Sequence, residues 1–178
     1  FSRHDGNNSG ADAMSACCAT SDDSNANPPS VHRGAAPCPR CQRIGKAVSM
    51  LTIKHQVKPG FAASGKCGDF RFCASAECPV VYYSPGGATV LVDEVRQPVT
   101  QKTRDNPPLC YCFGYDEAMV RDELRLTGRC TIAERVAAEV KAGHCACEVR
   151  NPQGSCCLGN IKASVTRATA ARFPNPKQ

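Results

Sequence analysis

The sequence predicts an α+β chain in which a small β-rich module precedes a module of three helices. Short β-branched or aromatic runs, separated by Gly and Pro, fill the stretch from Cys38 to about Val99. Apolar residues at helical spacing follow from Asp116 onward. A third observation concerns chemistry, because the 178 residues include 14 cysteines and no tryptophan. Several of these cysteines stand in tight pairs.

The composition also predicts where the modules begin and end. Residues 1–37 are mostly Ser, Asn, Asp, Gly, Ala and Pro, so burial of apolar groups cannot offset the entropy of ordering and we expect disorder. The charged stretch Gln101–Pro108, which ends in Pro-Pro, marks a break between the modules. We therefore expect a β-rich module over 38–100, a helical module over 101–172 and a tail over 173–178.

Each element has its own signal. Strands are predicted at Val48–Ile53, Val80–Tyr83 and Thr89–Val92. A capping box, Thr131 with Glu134, is predicted to open the second helix, and Gly143 to stop it. The three helices are predicted from apolar stripes: Val120 and Leu124; Ile132, Val136 and Val140; Leu158, Ile161, Val165 and Ala168.

The cysteines favour metal over disulfides. Disulfide scaffolds are usually short secreted domains without a core, whereas this chain is long enough to build one. Neighbouring cysteines at C-x-C and C-C spacing rarely bridge each other. The N-terminus shows no basic segment followed by an apolar one. These observations predict metal ligation in a reducing, cytoplasmic compartment.

Charge and hydropathy argue against two classes of protein, nucleic-acid-binding proteins and membrane-spanning proteins. The 22 basic and 16 acidic residues are spread along the chain, and a basic stripe with interleaved aromatics, which would indicate nucleic-acid binding, is missing. No apolar run approaches the roughly 18 residues that cross a bilayer. We expect neither a nucleic-acid partner nor membrane insertion.

Four cysteines in the first module predict a structural Zn²⁺ site. Cys38 and Cys41 form a C-x2-C knuckle, and Cys73 and Cys78 follow after 31 residues. Four thiolates from two turns suit the closed tetrahedral geometry of zinc. An alternative leaves Cys73 and Cys78 as strand cysteines, and Cys67 and Asp69 are substitute ligands.

A second cysteine set precedes predicted helices. Cys110 and Cys112 come before the first helix, 32 residues separate Cys112 from Cys145, and Cys156 with Cys157 precede the third helix. Helix starts concentrate backbone N–H donors, which stabilise an anionic iron-sulfur core. Zinc in an all-thiolate site is the alternative at this stage.

The segment Cys110 to Ile161 resembles the bacterioferritin-associated ferredoxin family, whose C-x-C and C-x2-C pairs hold a [2Fe-2S] cluster. The resemblance implies Cys110, Cys112 and Cys145 as the first three ligands. Glu148 stands where that family has its fourth cysteine, and an insertion, Glu148–Ser155, separates Cys147 from the pair Cys156 and Cys157. Cys157 is then implied as the fourth ligand, with Cys147 and Cys156 as substitutes.

A longer series of motifs resembles the N-terminal domain of the CopZ-type copper chaperone family. The resemblance implies a zinc and a [2Fe-2S] cluster in one domain. In that family a heavy-metal-binding domain with a Met-x-Cys-x-x-Cys loop is attached, and these 178 residues hold no such loop. The motifs are Cys38-Pro39-Arg40-Cys41, Phe72-Cys73 to Cys78 with Val80–Tyr83, Cys110–Phe113, and Asn151–Gly159.

The function predicted from the sequence is electron transfer in metal homeostasis. We expect an electron carrier or metallochaperone rather than a dedicated enzyme. A redox or metal-trafficking protein is the expected partner, and Cu⁺ or another soft metal the expected cargo. Cys17 and Cys18 form a hypothetical capture site, since thiolates select soft metals. The alternatives are a ferredoxin-like subunit or adaptor of a larger enzyme, an iron-sulfur cluster carrier, and a structural protein with two zincs.

Overall fold

The computed structural model describes residues 36–59 and 69–172, and these lie in one compact unit. Nearly all of the segment 1–37, the tail 173–178, and the thiols of Cys17, Cys18 and Cys67 lie outside the described residues. The predicted module boundaries stay predictions. Across the described ranges, no helix combines the length and the hydropathy needed to span a membrane.

The first half is an antiparallel sheet with one helix. The inner strand Val80–Tyr83 is buried along its whole length, and its Tyr82 lies in the hydrophobic core that also contains Ile53. The strand predicted at Val80–Tyr83 is confirmed, and the next is confirmed as far as Leu91, after which Val92 begins a short 3-10 helix. The elements in sheet order are β1 Lys46–Val48, β2 Phe70–Phe72, β3 Val80–Tyr83 and β4 Thr89–Leu91, with α1 at Met50–Gln56.

The strand predicted at Val48–Ile53 is wrong beyond Val48. Ser49 is extended and its hydroxyl accepts a hydrogen bond from the Thr52 backbone N–H at 3.2 Å, so it caps α1. This cap satisfies one of the orphan donors at a helix start. Burial of Thr52 and Ile53 on one helix face then outweighs the β-propensity of the run.

The second half contains a small hairpin and four helices. Helices lie at all three predicted apolar stripes, and their apolar faces form one core around Val120, Ile132 and Ile161. The prediction of an α+β chain is thereby confirmed. The elements are β5 Pro108–Cys110, β6 Tyr115–Asp116, α2 Glu117–Thr127, α3 Ile132–Lys141, α4 Cys147–Arg150 and α5 Leu158–Arg172.

The predicted capping box at Thr131 is wrong, although α3 does begin after Thr131. The Thr131 hydroxyl donates to Glu123 Oε1 at 2.6 Å instead of capping its own helix, and Glu134 pairs with Arg129. Glu123 also accepts from the Thr131 N–H and from Arg135, both at 2.9 Å.

Burial raises the pKa of Glu123, but these hydrogen bonds and the Arg135 charge outweigh burial, and the net shift of the pKa is downward.

The predicted stop of the second helix at Gly143 is confirmed, because α3 ends at Lys141 and Gly143 follows with φ of 78°.

Candidate metal centres

Four cysteine sulfurs converge in the first half, those of Cys38, Cys41, Cys73 and Cys78, and we call them the compact cysteine group. Every pair among their Sγ atoms lies within 4.8 Å, with Cys38 to Cys78 at 3.9 Å and Cys41 to Cys73 at 3.5 Å. A tetrahedron with zinc–sulfur bonds of about 2.3 Å has edges of about 3.8 Å. The spacing of the sulfurs therefore fits one tetrahedral ion.

Two tight turns create this convergence. The Cys38 N–H donates to Arg43 O at 2.8 Å, and Gln42 N–H returns to Cys38 O at 2.9 Å, which closes the knuckle. Gly45 is required beside it, because a Cβ there would lie 2.4 Å from Phe72 O. The second turn lies between β2 and β3, so the sheet itself fixes the distance between the two cysteine pairs.

Polar groups around the compact cysteine group bias the protonation of its thiols. The Ser75 hydroxyl lies 3.3 Å from Cys41 Sγ and lowers the pKa of Cys41 to about 6. Burial raises the pKa of Cys78 to about 12. Lys102 donates to Ser75 O and Cys78 O, each at 2.8 Å, and brings one positive charge to the turn. A divalent ion would supply the charge needed to ionise the buried thiols.

Four more sulfurs meet in the second half as two pairs, which we call the paired-cysteine group. Cys157 Sγ donates to Cys110 Sγ at 3.1 Å, and Cys112 Sγ lies 3.9 Å from Cys147 Sγ. Cys110 ends β5, Cys147 opens α4 and Cys157 directly precedes α5. The first pair is buried, whereas Cys112 and Cys147 are half-buried.

Backbone amides point at this group. The Ala146 N–H donates to Cys112 Sγ at 3.3 Å, and the backbone N–H groups of Phe113 and Cys112 help to lower the pKa of Cys110. The backbone N–H of Cys157 acts in the same direction on the pKa of Cys147, against the larger effect of burial. Such donors stabilise negative charge on sulfur. The site is therefore built to hold several thiolates together.

The contact between the two buried sulfurs shifts the pKa values of Cys110 and Cys157 in opposite directions. The hydrogen bond from Cys157 lowers the pKa of Cys110 to about 6, although burial opposes this. The same contact, with burial, raises the pKa of Cys157. Burial also raises the pKa of Cys147 to about 12, and the nearby Cys112 adds to this. Burial thus opposes ionisation of Cys147 and Cys157, and a bound cation would favour it.

The structure brings together three of the four ligands that the sequence implied, namely Cys110, Cys112 and Cys157. Cys147, named there as a substitute, lies beside Cys112 in the place expected for Cys145. Cys147 is the first residue of α4, whereas Cys145 precedes the helix by two residues. Cys145 is half-buried and close enough to raise the pKa of Cys147, while Cys156 is exposed.

Other candidates lie apart. None of the cysteines within the described ranges forms a disulfide. Asp69 is exposed and does not belong to the compact cysteine group. Cys130 is buried against the helical core and donates to Glu123 at 3.7 Å. Sequence reasoning missed Ser75 and Lys102, whose contacts with turns leave no recognisable motif.

A match to a protein-family model identifies the class of the first half. Residues 35–96 match the CopZ-type family model described as a zinc binding domain. This match covers the sheet and the compact cysteine group. The sheet and the compact cysteine group thus belong to a zinc-binding domain.

The particular relative is a copper chaperone. The chain is 36% identical over 128 residues to copper chaperone CopZ of Archaeoglobus fulgidus, covering 70% of this chain and 59% of that protein. It is also similar to the X-ray structure of the N-terminal domain of that CopZ, with a TM-score of 0.58, 32% identity, and coverage of 71% of this chain and 95% of the domain. The chain belongs to the family of CopZ N-terminal domains, and it spans 59% of the whole relative.

Proposed function

We propose that this chain is an electron-transfer protein of metal homeostasis that holds a structural Zn²⁺ and a [2Fe-2S] cluster. The compact cysteine group holds the zinc. Cys110, Cys112, Cys147 and Cys157 hold the cluster. The observation that carries the proposal is the meeting of four free thiols as two pairs.

The two cysteine groups differ in a way that supports different metals. Within the described ranges, the compact cysteine group alone has three or more ligand atoms that all lie within 4.8 Å of one another. The paired-cysteine group is therefore wider than one tetrahedral ion requires. A binuclear cluster takes two thiolates at each iron, which fits two sulfur pairs better than one zinc does.

When bound, a [2Fe-2S] cluster accepts and releases one electron at a time. The chain's own residues provide its surroundings. Cys110 and Cys157 are buried at 1% exposure each and keep water from one side. Cys112 and Cys147 are half-buried, so the other side of the cluster lies near solvent, where an electron can pass to a partner. The amide donors stabilise the negative charge of the reduced cluster and thereby raise its reduction potential.

The relative's name, copper chaperone, supports copper as the metal handled. Cys145 and Cys156 support it further, because neither is needed by the two centres and thiolates select soft metals such as Cu(I). Cys17 and Cys18 are further candidates for capture. A metal-trafficking protein or a redox protein is the partner that follows.

A Cu(II) titration tests the proposal. Anaerobic protein is reduced with dithionite, freed of excess reductant and mixed with Cu(II) while visible absorbance is followed. We expect rapid reoxidation, with one Cu(I) trapped by bicinchoninate for each electron released. Zinc-loaded protein without iron is the control and yields no Cu(I) at that rate.

The other outcomes contradict the proposal. A reduced protein that Cu(II) does not reoxidise would point to an adaptor of a larger enzyme. Transfer of the iron to an apo-ferredoxin within minutes, without electron transfer to copper, would point to a cluster carrier.

A further inference from the structure

We propose that Tyr82, Thr52 and Gln56 of the zinc-binding half position the cluster ligands of the other half. The inference rests on the proposed function, because it concerns the cluster site named there. Two of its four ligands, Cys147 and Cys157, stand at the ends of residues 148–156. We call this segment the cluster loop.

Side chains of the first half hold the cluster loop by its backbone. The Thr52 hydroxyl donates to Glu148 O at 2.7 Å, and Gln56 Nε2 donates to Val149 O at 2.6 Å. The Tyr82 hydroxyl donates to Pro152 O at 2.5 Å. Thr52, Gln56 and Tyr82 are 0%, 2% and 0% exposed. Hydrogen bonds as buried as these resist competition from water, so they restrict the loop strongly.

The cluster loop is shaped to receive these donors. Asn151 is 2% exposed, donates to Ser155 O at 2.7 Å and accepts from the Gln153 N–H. Gly154 has φ of 64°, and a Cβ on it would lie 2.8 Å from Thr52 Oγ1. The loop is therefore internally braced and seated directly against α1.

Strand β3 connects this contact to the zinc-binding site. Tyr82 and Tyr83 are neighbours, so their side chains point to opposite faces of the sheet. The Tyr83 hydroxyl accepts from Gly45 N–H at 2.7 Å and donates to Ala36 O at 3.0 Å, next to the Cys38 knuckle. Tyr83 packs with the compact cysteine group, whereas Tyr82 packs with the core under α1. One strand thus supports the knuckle on one face and the cluster loop on the other.

The adjacent tyrosines allow a paired test. Tyr82→Phe removes one buried hydrogen bond to the loop and keeps the ring. A net contribution of about 1 kcal/mol predicts roughly fivefold faster loss of iron to a chelator. We also expect a changed reduction potential and a shifted EPR signal, with zinc release unchanged. Tyr83→Phe should do the reverse, releasing zinc faster and leaving the iron signals as they are.

Thr52→Val is the second variant, since it removes the hydroxyl at nearly constant shape. Its matched control is Thr166→Val, whose exposed hydroxyl on α5 contacts only its own helix at Lys162 O. The loop variant should accelerate iron loss and the α5 variant should not. Identical iron release, potential and EPR signal in Tyr82→Phe and wild type would overturn the inference.

A measurement without iron separates this inference from the proposed function. In zinc-loaded, iron-free protein, amide hydrogen exchange over residues 148–156 should be faster in Tyr82→Phe than in wild type. If wild type binds no cluster but the loop exchanges faster in the variant, the proposed function fails and the positioning role stands. Unchanged exchange in the variant overturns the positioning role itself.

Discussion

Replacement of Lys102 by methionine is expected to weaken zinc binding about 30-fold. The ammonium donates to Ser75 O and Cys78 O at 2.8 Å each, and methionine keeps the apolar stem without these bonds. Because Lys102 is half-buried, each charge-assisted bond is discounted to about 1 kcal/mol. The loss of both costs about 2 kcal/mol, which corresponds to about 30-fold in a dissociation constant.

The assay is competition for zinc with a chromophoric chelator at neutral pH. Lys58→Met is the matched control, because Lys58 is exposed and its ammonium donates to Asp93 O, at 2.7 Å, away from the zinc-binding turns. This control should bind zinc within about twofold of wild type, since exposed contacts contribute little. Equal zinc affinity in the two variants would refute the argument that Lys102 supports the compact cysteine group.

Three further predictions concern the second half. Cys147→Ser is expected to lose most of its iron and Cys145→Ser to keep it, as measured by iron analysis of anaerobic protein; the opposite pattern would restore Cys145 as a ligand. Gly154→Ala should destabilise the protein more than Gly143→Ala in chemical unfolding, because both have positive φ but only the former meets a side chain at 2.8 Å, and equal costs would argue against a tightly seated loop. Glu123→Gln should lower the free energy of unfolding at pH 7, with the difference from wild type closing as pH falls below the ordinary pKa of glutamate and through the depressed pKa of Glu123; a difference that persists at low pH would contradict a stabilising role of the Glu123 charge.

The compact cysteine group and most of the main elements were predictable from the sequence. Cys38 with Cys41 forms a knuckle within one turn, so spacing alone indicates it. Val80–Tyr83 is β-branched and aromatic, and the structure confirms it as a strand. Residues that carry their own local signal are predictable for this reason.

Other features depend on long-range contacts. The resemblance implied Cys145 as a ligand and Cys147 as a substitute, whereas the structure places Cys147 Sγ, at the start of α4, 3.9 Å from Cys112 Sγ. Tyr82 and Lys102 act on backbone carbonyls far along the chain, and a carbonyl acceptor leaves no mark in residue type. Lys102 also belongs to a stretch expected to be a simple break between modules, yet it braces the turn that carries Cys78.

Metal analysis combined with EPR of anaerobically isolated protein tests the central claim most directly. We predict about one zinc and two irons per chain, with a rhombic signal that appears on reduction by dithionite. A colourless protein with two zincs and no iron would contradict the account, because the paired-cysteine group would then hold a second structural ion.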